Sequence, residues 1–214
     1  MRSFLVSVVL GLGAAGPVMP QANCLEQVKF PEVGRWAEYK AKYQNDPYTI
    51  RYSVIGSEAR QGKDFRWVEM QMTGSQKDRN LVYQMLVPGS FSEMDQVQEV
   101  IFKPGDQPAM KMSGQMLSML RGQLDKQSFL NQICTGVSLV GKESVSVPAG
   151  KFETLHFRSA EHEADSWVSP EVPFSMVKST GKQHQIELAA HGQGAKSSIT
   201  EKPQEMGGMG GRPN

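Results

Sequence analysis

From Trp36 onward the chain alternates apolar and polar side chains with a period of two, the pattern of strands that bury one face and leave the other in water. Ala37, Tyr39, Ala41 and Tyr43 fall on one side, and Glu38, Lys40 and Lys42 on the other. After the turn signal Asn45-Asp46-Pro47, the device repeats with Tyr48, Ile50, Tyr52 and Val54 against Thr49, Arg51 and Ser53. The two runs predict a hairpin. Further strands are expected over 65–73 and 81–87, separated by loops at 56–63 and 74–79. Two short strands should flank Pro104-Gly105-Asp106 within 97–112. Beyond residue 134 the pattern returns over 137–139, 144–147, 151–158, 166–169, 174–178, 185–190 and 196–200. The spacing suits an antiparallel meander.

Between these two sets the period changes. Met116, Leu117, Leu120 and Leu124 recur at helical spacing, and Phe129, Leu130 and Ile133 extend the stripe, which predicts a helix or helix pair over roughly 114–132. Gly114 and Gly122 weaken its continuity. The fold class expected is mainly β with one helical segment (α+β): a strongly curved antiparallel sheet or incomplete barrel, with the helix packed across it. No domain-scale linker interrupts residues 23–202, so they read as one domain. Residues 203–214, PQEMGGMGGRPN, hold too few large apolar side chains to pack and are expected to form a disordered tail.

The first 22 residues have a different character. Gly11, Gly13 and Gly16 spell G-x-G-x-x-G after an apolar run, but a dinucleotide-binding turn needs a helix behind the glycines, and here Pro17 and Pro20 follow. A basic residue, Arg2, ahead of an apolar stretch broken only by Ser7 is the layout of a secretory signal peptide, with Ala22 as the last residue removed. Cleavage there would leave 192 of the 214 residues, destined for the periplasm or the exterior. No later stretch is apolar enough to span a membrane. The formal charge of +1 falls to zero with the loss of Arg2, and the remaining basic residues are scattered, which argues against nucleic acid as a partner.

The chain has two cysteines, Cys24 and Cys134. In an oxidising compartment such a pair is most simply a disulfide. The competing reading makes Cys24 the acylated first residue of a lipoprotein, although Gln21-Ala22-Asn23 departs from the pattern that precedes such a cysteine.

Catalytic chemistry has little to stand on. His156 and His162 lie near Glu161, Glu163 and Asp165, the only dense cluster of metal-ligating types, but their spacing is looser than zinc sites use. Neither a nucleophile elbow nor a P-loop occurs. No cofactor is implied. Methionine is abundant, thirteen in all, with Met70-x-Met72, Met110-x-Met112, Met116-x-x-Met119 and Met206-x-x-Met209. Thioethers suit copper(I), which keeps a copper-binding alternative open, yet each of these spacings also puts two side chains on one face for packing. Flexible, polarizable Met side chains also suit an apolar cavity that accepts ligands of variable shape.

Three stretches carry a resemblance: VSVPAGKFETLHFR at 145–158, DSWVSPEVPFSMVKS at 165–179 and IELAAHGQGAKSSIT at 186–200. Together they resemble uncharacterised exported bacterial proteins with a V-P-A-G-x-F turn and a W-x-S-P-x-V-P-x-x-x-V-K segment. In overall pattern these are similar to the lipoprotein-carrier (LolA/LolB-like) fold, an incomplete barrel around an apolar cavity closed by helices. The resemblance implies a non-enzymatic exported protein whose groove takes a lipid, an acyl chain or a hydrophobic protein segment. The residues expected to line such a groove are Tyr39, Tyr52, Trp67, Met116, Leu120 and Trp167. The alternative is a structural or interaction module of the cell envelope with a filled core and no ligand.

Overall fold

A computed structural model describes residue 24, residues 28–74, 80–90, 93, 96–112, 114–127 and 136–206, without the side chains of 122–127. The expected signal segment 1–22, residues 128–132 of the expected helix, Cys134 and residues 207–214 lie outside the described residues. Among those described, twelve strands form one open, curled sheet, ordered β12-β6-β5-β4-β3-β2-β1-β11-β10-β9-β8-β7.

The first hairpin joins β1 (Trp36–Tyr43) to β2 (Asp46–Arg60), with Tyr43 opposite Asp46. The turn is therefore the pair Gln44-Asn45, both at positive φ (49° and 73°), rather than Asn45-Asp46-Pro47. Positive φ at both central residues matches the right-handed twist of the strands. A second such pair, Gln61-Gly62 (52° and 76°), leads into β3 (Lys63–Gly74). β2 runs through the expected loop at 56–63 as far as Arg60, absorbing Ile55 in a bulge between Val54 and Gly56. The meander continues through β4 (Leu81–Pro88), β5 (Glu99–Pro104) and β6 (Met110–Met112).

After the helix α1 (Gly114–Gln127) come β7 (Val137–Val147), β8 (Gly150–Ser159), β9 (Ala164–Val168), β10 (Met176–Thr180) and β11 (His184–Gly192). β11 returns to pair antiparallel with β1, which makes β1 the seam between two meanders. β6 and β7 thus sit toward opposite ends of the sheet, and the connection that holds α1 must cross it. Leu117 and Leu120 of α1 pack against the main core, and Arg121 Nε donates to Val97 O at 2.7 Å. The helix expected across the sheet is there because the topology requires a crossing.

The core lies on the face that the curl encloses, here the inner face. Tyr39, Val54, Val68, Val100, Phe157, Val168 and Leu188 are buried in one cluster. Cys24 joins this cluster at 3 % exposure. The outer face is also partly covered. Residues 195–206 cross it as a strap, in which Ile199 packs with Ile101, Ala109, Trp67 and Val82. The strap ends in β12 (Gln204–Glu205), paired in parallel with β6.

Several expectations need correction. Residues 137–147 form one strand with a bulge between Leu139 and Gly141 instead of two strands, because a bulge admits an extra residue without ending the pairing. Phe174 lies in the turn before β10, at positive φ (62°), with Ser175 (58°). Residues 196–200 form no strand, since the strap bonds through side chains. Residues 204–205 are hydrogen-bonded to the sheet, so the expected tail cannot begin at 203. Tyr43, at the sheet's end, keeps its expected side but is 50 % exposed rather than buried.

Candidate functional site

In antiparallel pairs, residues opposite one another share a face, so the registers define the inner surface row by row. One row is Val54, Val68, Met85, Val100 and Met112. The next is Tyr52, Met70, Tyr83, Phe102 and Met110, and the third is Ile50, Met72, Leu81 and Pro104. Burial is uneven across these rows, with Ile50 of the third row buried and Met85 and Met112 of the first half-buried. Val54, Val68 and Val100 are sealed, whereas every residue of the second row is half-buried, as are Met72, Leu81 and Pro104 in the third. The result is an apolar trough on β2–β6, closed at one end by core packing and partly open at the other.

Aromatic rings stiffen the trough. Tyr39 and Tyr52 meet edge-on with centroids 6.1 Å apart, Tyr52 touches Phe174 at 5.6 Å, and Tyr83 lies 6.3 Å from Phe102. Burial, reinforced by the neighbouring Tyr48, pushes the Tyr52 hydroxyl up to about 12, and deeper burial raises Tyr39 further. The Tyr39 hydroxyl is buried without a hydrogen-bond partner among the described residues. An orphaned buried hydroxyl costs a fold ~1–3 kcal/mol.

The inner face of the second meander is more polar. Ser166 and Ser179, opposite each other on β9 and β10, approach to 3.4 Å, and Ser179 Oγ lies 3.1 Å from His184 Nε2. Burial lowers the His184 pKa.

The six residues expected to line one groove divide between the two faces. Tyr39, Tyr52 and Leu120 come together in the main core cluster, with Tyr39 wholly buried and the other two partly. Met116, on the same helix, is 46 % exposed. Trp67 is on the outer face, packed under the strap, with its Nε1 donating to Glu58 at 3.3 Å. Trp167 is also outside, stacked on His156 with ring centroids 4.6 Å apart and with the Lys178 ammonium 5.7 Å from its ring. Both tryptophans therefore leave the groove, because each stands one residue out of step with an inner neighbour, Val68 and Val168 respectively. The registers bring in Tyr83 and Phe102, which were not singled out from the sequence. Their signal was available: each keeps step with Tyr52 once the hairpins are paired.

On the outer face, His156 of β8 bridges the two neighbouring strands, β7 and β9. Its Nε2 lies 2.6 Å from Asp165 and its Nδ1 2.9 Å from Glu143, which also accepts from Trp167 Nε1. Arg158 Nε donates to the same Asp165 oxygen at 2.8 Å. Burial works to raise the Asp165 carboxyl, but the hydrogen bonds from His156 and Arg158 outweigh it and hold it below its ordinary range. His162, the other member of the expected cluster, is exposed in the turn. Among the described residues no group of three or more His, Cys, Asp or Glu side chains is placed to hold a metal ion. A depression of about 540 Å³ opens at the ends of β1–β3 and β11; Lys40, Lys42, Thr49 and Glu187 edge it. Hydrogen bonding from Lys178, 2.9 Å away, holds the Glu187 carboxyl below its ordinary range.

No protein-family model matches the chain, and no curated protein sequence does. Among solved structures, one assigned as an exported protein with a YmcC-like fold from Bacteroides fragilis is similar at 12 % identity and TM-score 0.42, over 78 % of this chain and 100 % of that one. Another, assigned as a lipoprotein from Parabacteroides distasonis, is similar at 12 % identity and TM-score 0.40, covering 78 % and 99 % of the two chains. MucB is similar at 9 % identity and TM-score 0.41, over 84 % of this chain and 60 % of its own. The likeness is one of distant fold. Among the described residues no helix is long and apolar enough to cross a membrane.

Proposed function

We propose that this chain is an exported, non-enzymatic protein of the cell envelope that holds a lipid, an acyl chain or a similarly hydrophobic segment against the inner face of β2–β6. One observation carries the reading. The second row of the inner face is Tyr52, Met70, Tyr83, Phe102 and Met110, and all five side chains are left half-buried by the protein's own packing. A sheet that served only as scaffold gains by filling such a face, since burying a large apolar side chain contributes ~1.5–3 kcal/mol. Ligand sites, by contrast, are concave and mainly apolar. Met side chains add adaptability to the wall.

The test is binding of a fluorescent fatty acid, 11-(dansylamino)undecanoic acid, to the purified protein. Saturable binding is expected, with Phe102→Glu abolishing it by putting a charge in the trough and Lys40→Glu, on the outer face, leaving it unchanged. If the wild type does not bind the probe and carries no co-purifying lipid by mass spectrometry, the ligand reading falls and the envelope scaffold takes its place.

A further inference from the structure

Five of the chain's thirteen methionines, Met70, Met72, Met85, Met110 and Met112, stand on the inner face of β3–β6. Met85 and Met112 share one row, Met70 and Met110 the next, and Met72 lies in the third. All five are half-buried, while Met176 is sealed at 1 % exposure. These thioethers are therefore concentrated in the trough wall and partly exposed, with Met85 and Met112 where the wall meets the closed core. Packing alone does not require sulfur here, because leucine would supply similar volume.

We propose that this methionine wall is an oxidant-sensitive modification site that switches off hydrophobic binding by the trough, an inference that rests on the ligand reading above. The oxidant class is a two-electron, oxygen-donating oxidant such as hypochlorous acid. A sulfur lone pair attacks chlorine and displaces hydroxide, water then adds to the chlorosulfonium, and chloride and protons leave. The net change is thioether plus HOCl to sulfoxide, chloride and one proton, with sulfur losing the two electrons that chlorine gains. Each sulfoxide puts a strong dipole where an apolar atom lined the wall. A hydrocarbon ligand must then cover a polar group that it cannot hydrogen-bond, which weakens binding. The step is reversible, since a sulfoxide reductase with two thiols returns the thioether, a disulfide and water.

The experiment treats the full chain with limiting hypochlorous acid, removes the oxidant and measures the affinity for 11-(dansylamino)undecanoic acid, with sulfoxides located by peptide mass spectrometry. The expected order of oxidation is the exposed Met116 and Met119 first, the five wall residues next and Met176 last. Binding should weaken about tenfold or more as the wall residues convert, and methionine sulfoxide reductase should restore it. The variant carrying Met70→Leu, Met72→Leu, Met85→Leu, Met110→Leu and Met112→Leu should bind the probe and ignore the oxidant. Should that variant fail to fold, Met70→Leu with Met72→Leu is expected to show a smaller loss, and Met116→Leu with Met119→Leu the full wild-type loss. Unchanged affinity with the wall mapped as sulfoxide would overturn the switch while leaving the ligand reading in place. A wall that resists oxidant while Met116 and Met119 are converted would overturn the switch in the same way. Absence of binding before any oxidant would overturn both.

Discussion

His184 and Asp165 set how the fold responds to acid. Burial lowers His184 below its ordinary 6.5, so the unfolded chain takes up the proton first. The stability this group contributes is present above pH 6.5 and is lost as pH falls through the folded value. Asp165 is held below 3.8 because hydrogen bonds from His156 and Arg158 outweigh the opposing effect of burial. Its contribution is present above pH 3.8 and disappears as pH falls through the depressed value. Both signs agree, so Tm is expected to be flat from about pH 8 to 6.5 and then to decline in two steps. Calorimetry on the wild type and on His184→Gln checks this: the variant should lack the upper step alone. A wild type that shows only the lower step would remove His184 from the account.

At the level of elements, the strap at 195–206 depends on a few contacts. Glu69, buried on the outer face at 1 % exposure, accepts from Gln71 Nε2 at 2.6 Å, Gln84 Nε2 at 2.7 Å and the Ser198 amide at 2.9 Å. Ser197 Oγ accepts from Gln84 at 2.7 Å, and Lys103 reaches Glu201 at 2.6 Å. Ile199→Ala should cost ~2 kcal/mol or more through the cavity it leaves, and Glu69→Ala ~1–3 kcal/mol through the donors it orphans. Urea midpoints measure both losses, and proteolysis should cut 195–206 sooner in each variant; unaltered midpoints would mean that the strap does not belong to the folding unit. The strands themselves were legible, because alternation from Trp36 and the later runs placed nearly all of them within a few residues. The strap was not, because KSSIT alternates like a strand while its bonds go to the side chain of Glu69, 129 residues earlier. The same blindness put Trp67 and Trp167 in the groove. Size alone says that a tryptophan is buried, whereas the face is fixed by pairing with a neighbour that the sequence does not name.

For the whole molecule, the curved sheet and the crossing helix follow from patterns in the chain, and the trough follows from the order of the strands. A bridge from Cys24 to Cys134 remains our proposal for how the segment before β1 is tied to the helix connection. Cys24 is already sealed in the core at 3 % exposure. Closing a loop of about a hundred residues contributes ~4–5 kcal/mol in the chain-entropy account. Cys24→Ser and Cys134→Ser should then lower stability equally, with the double variant no worse than either; unequal losses would separate the two residues. Intact mass before and after reduction reads the bond directly. The seam at β1 has a consequence for the order of events in folding. Trp36 is paired with Gly192, and β11 closes the seam from the far end of the described chain. Contacts of such separation make assembly slow. Once the segment is free to fold, β1 can join the first meander but keeps one edge without its partner until β11 docks, so the risk of pairing with the wrong chain lasts until the seam closes.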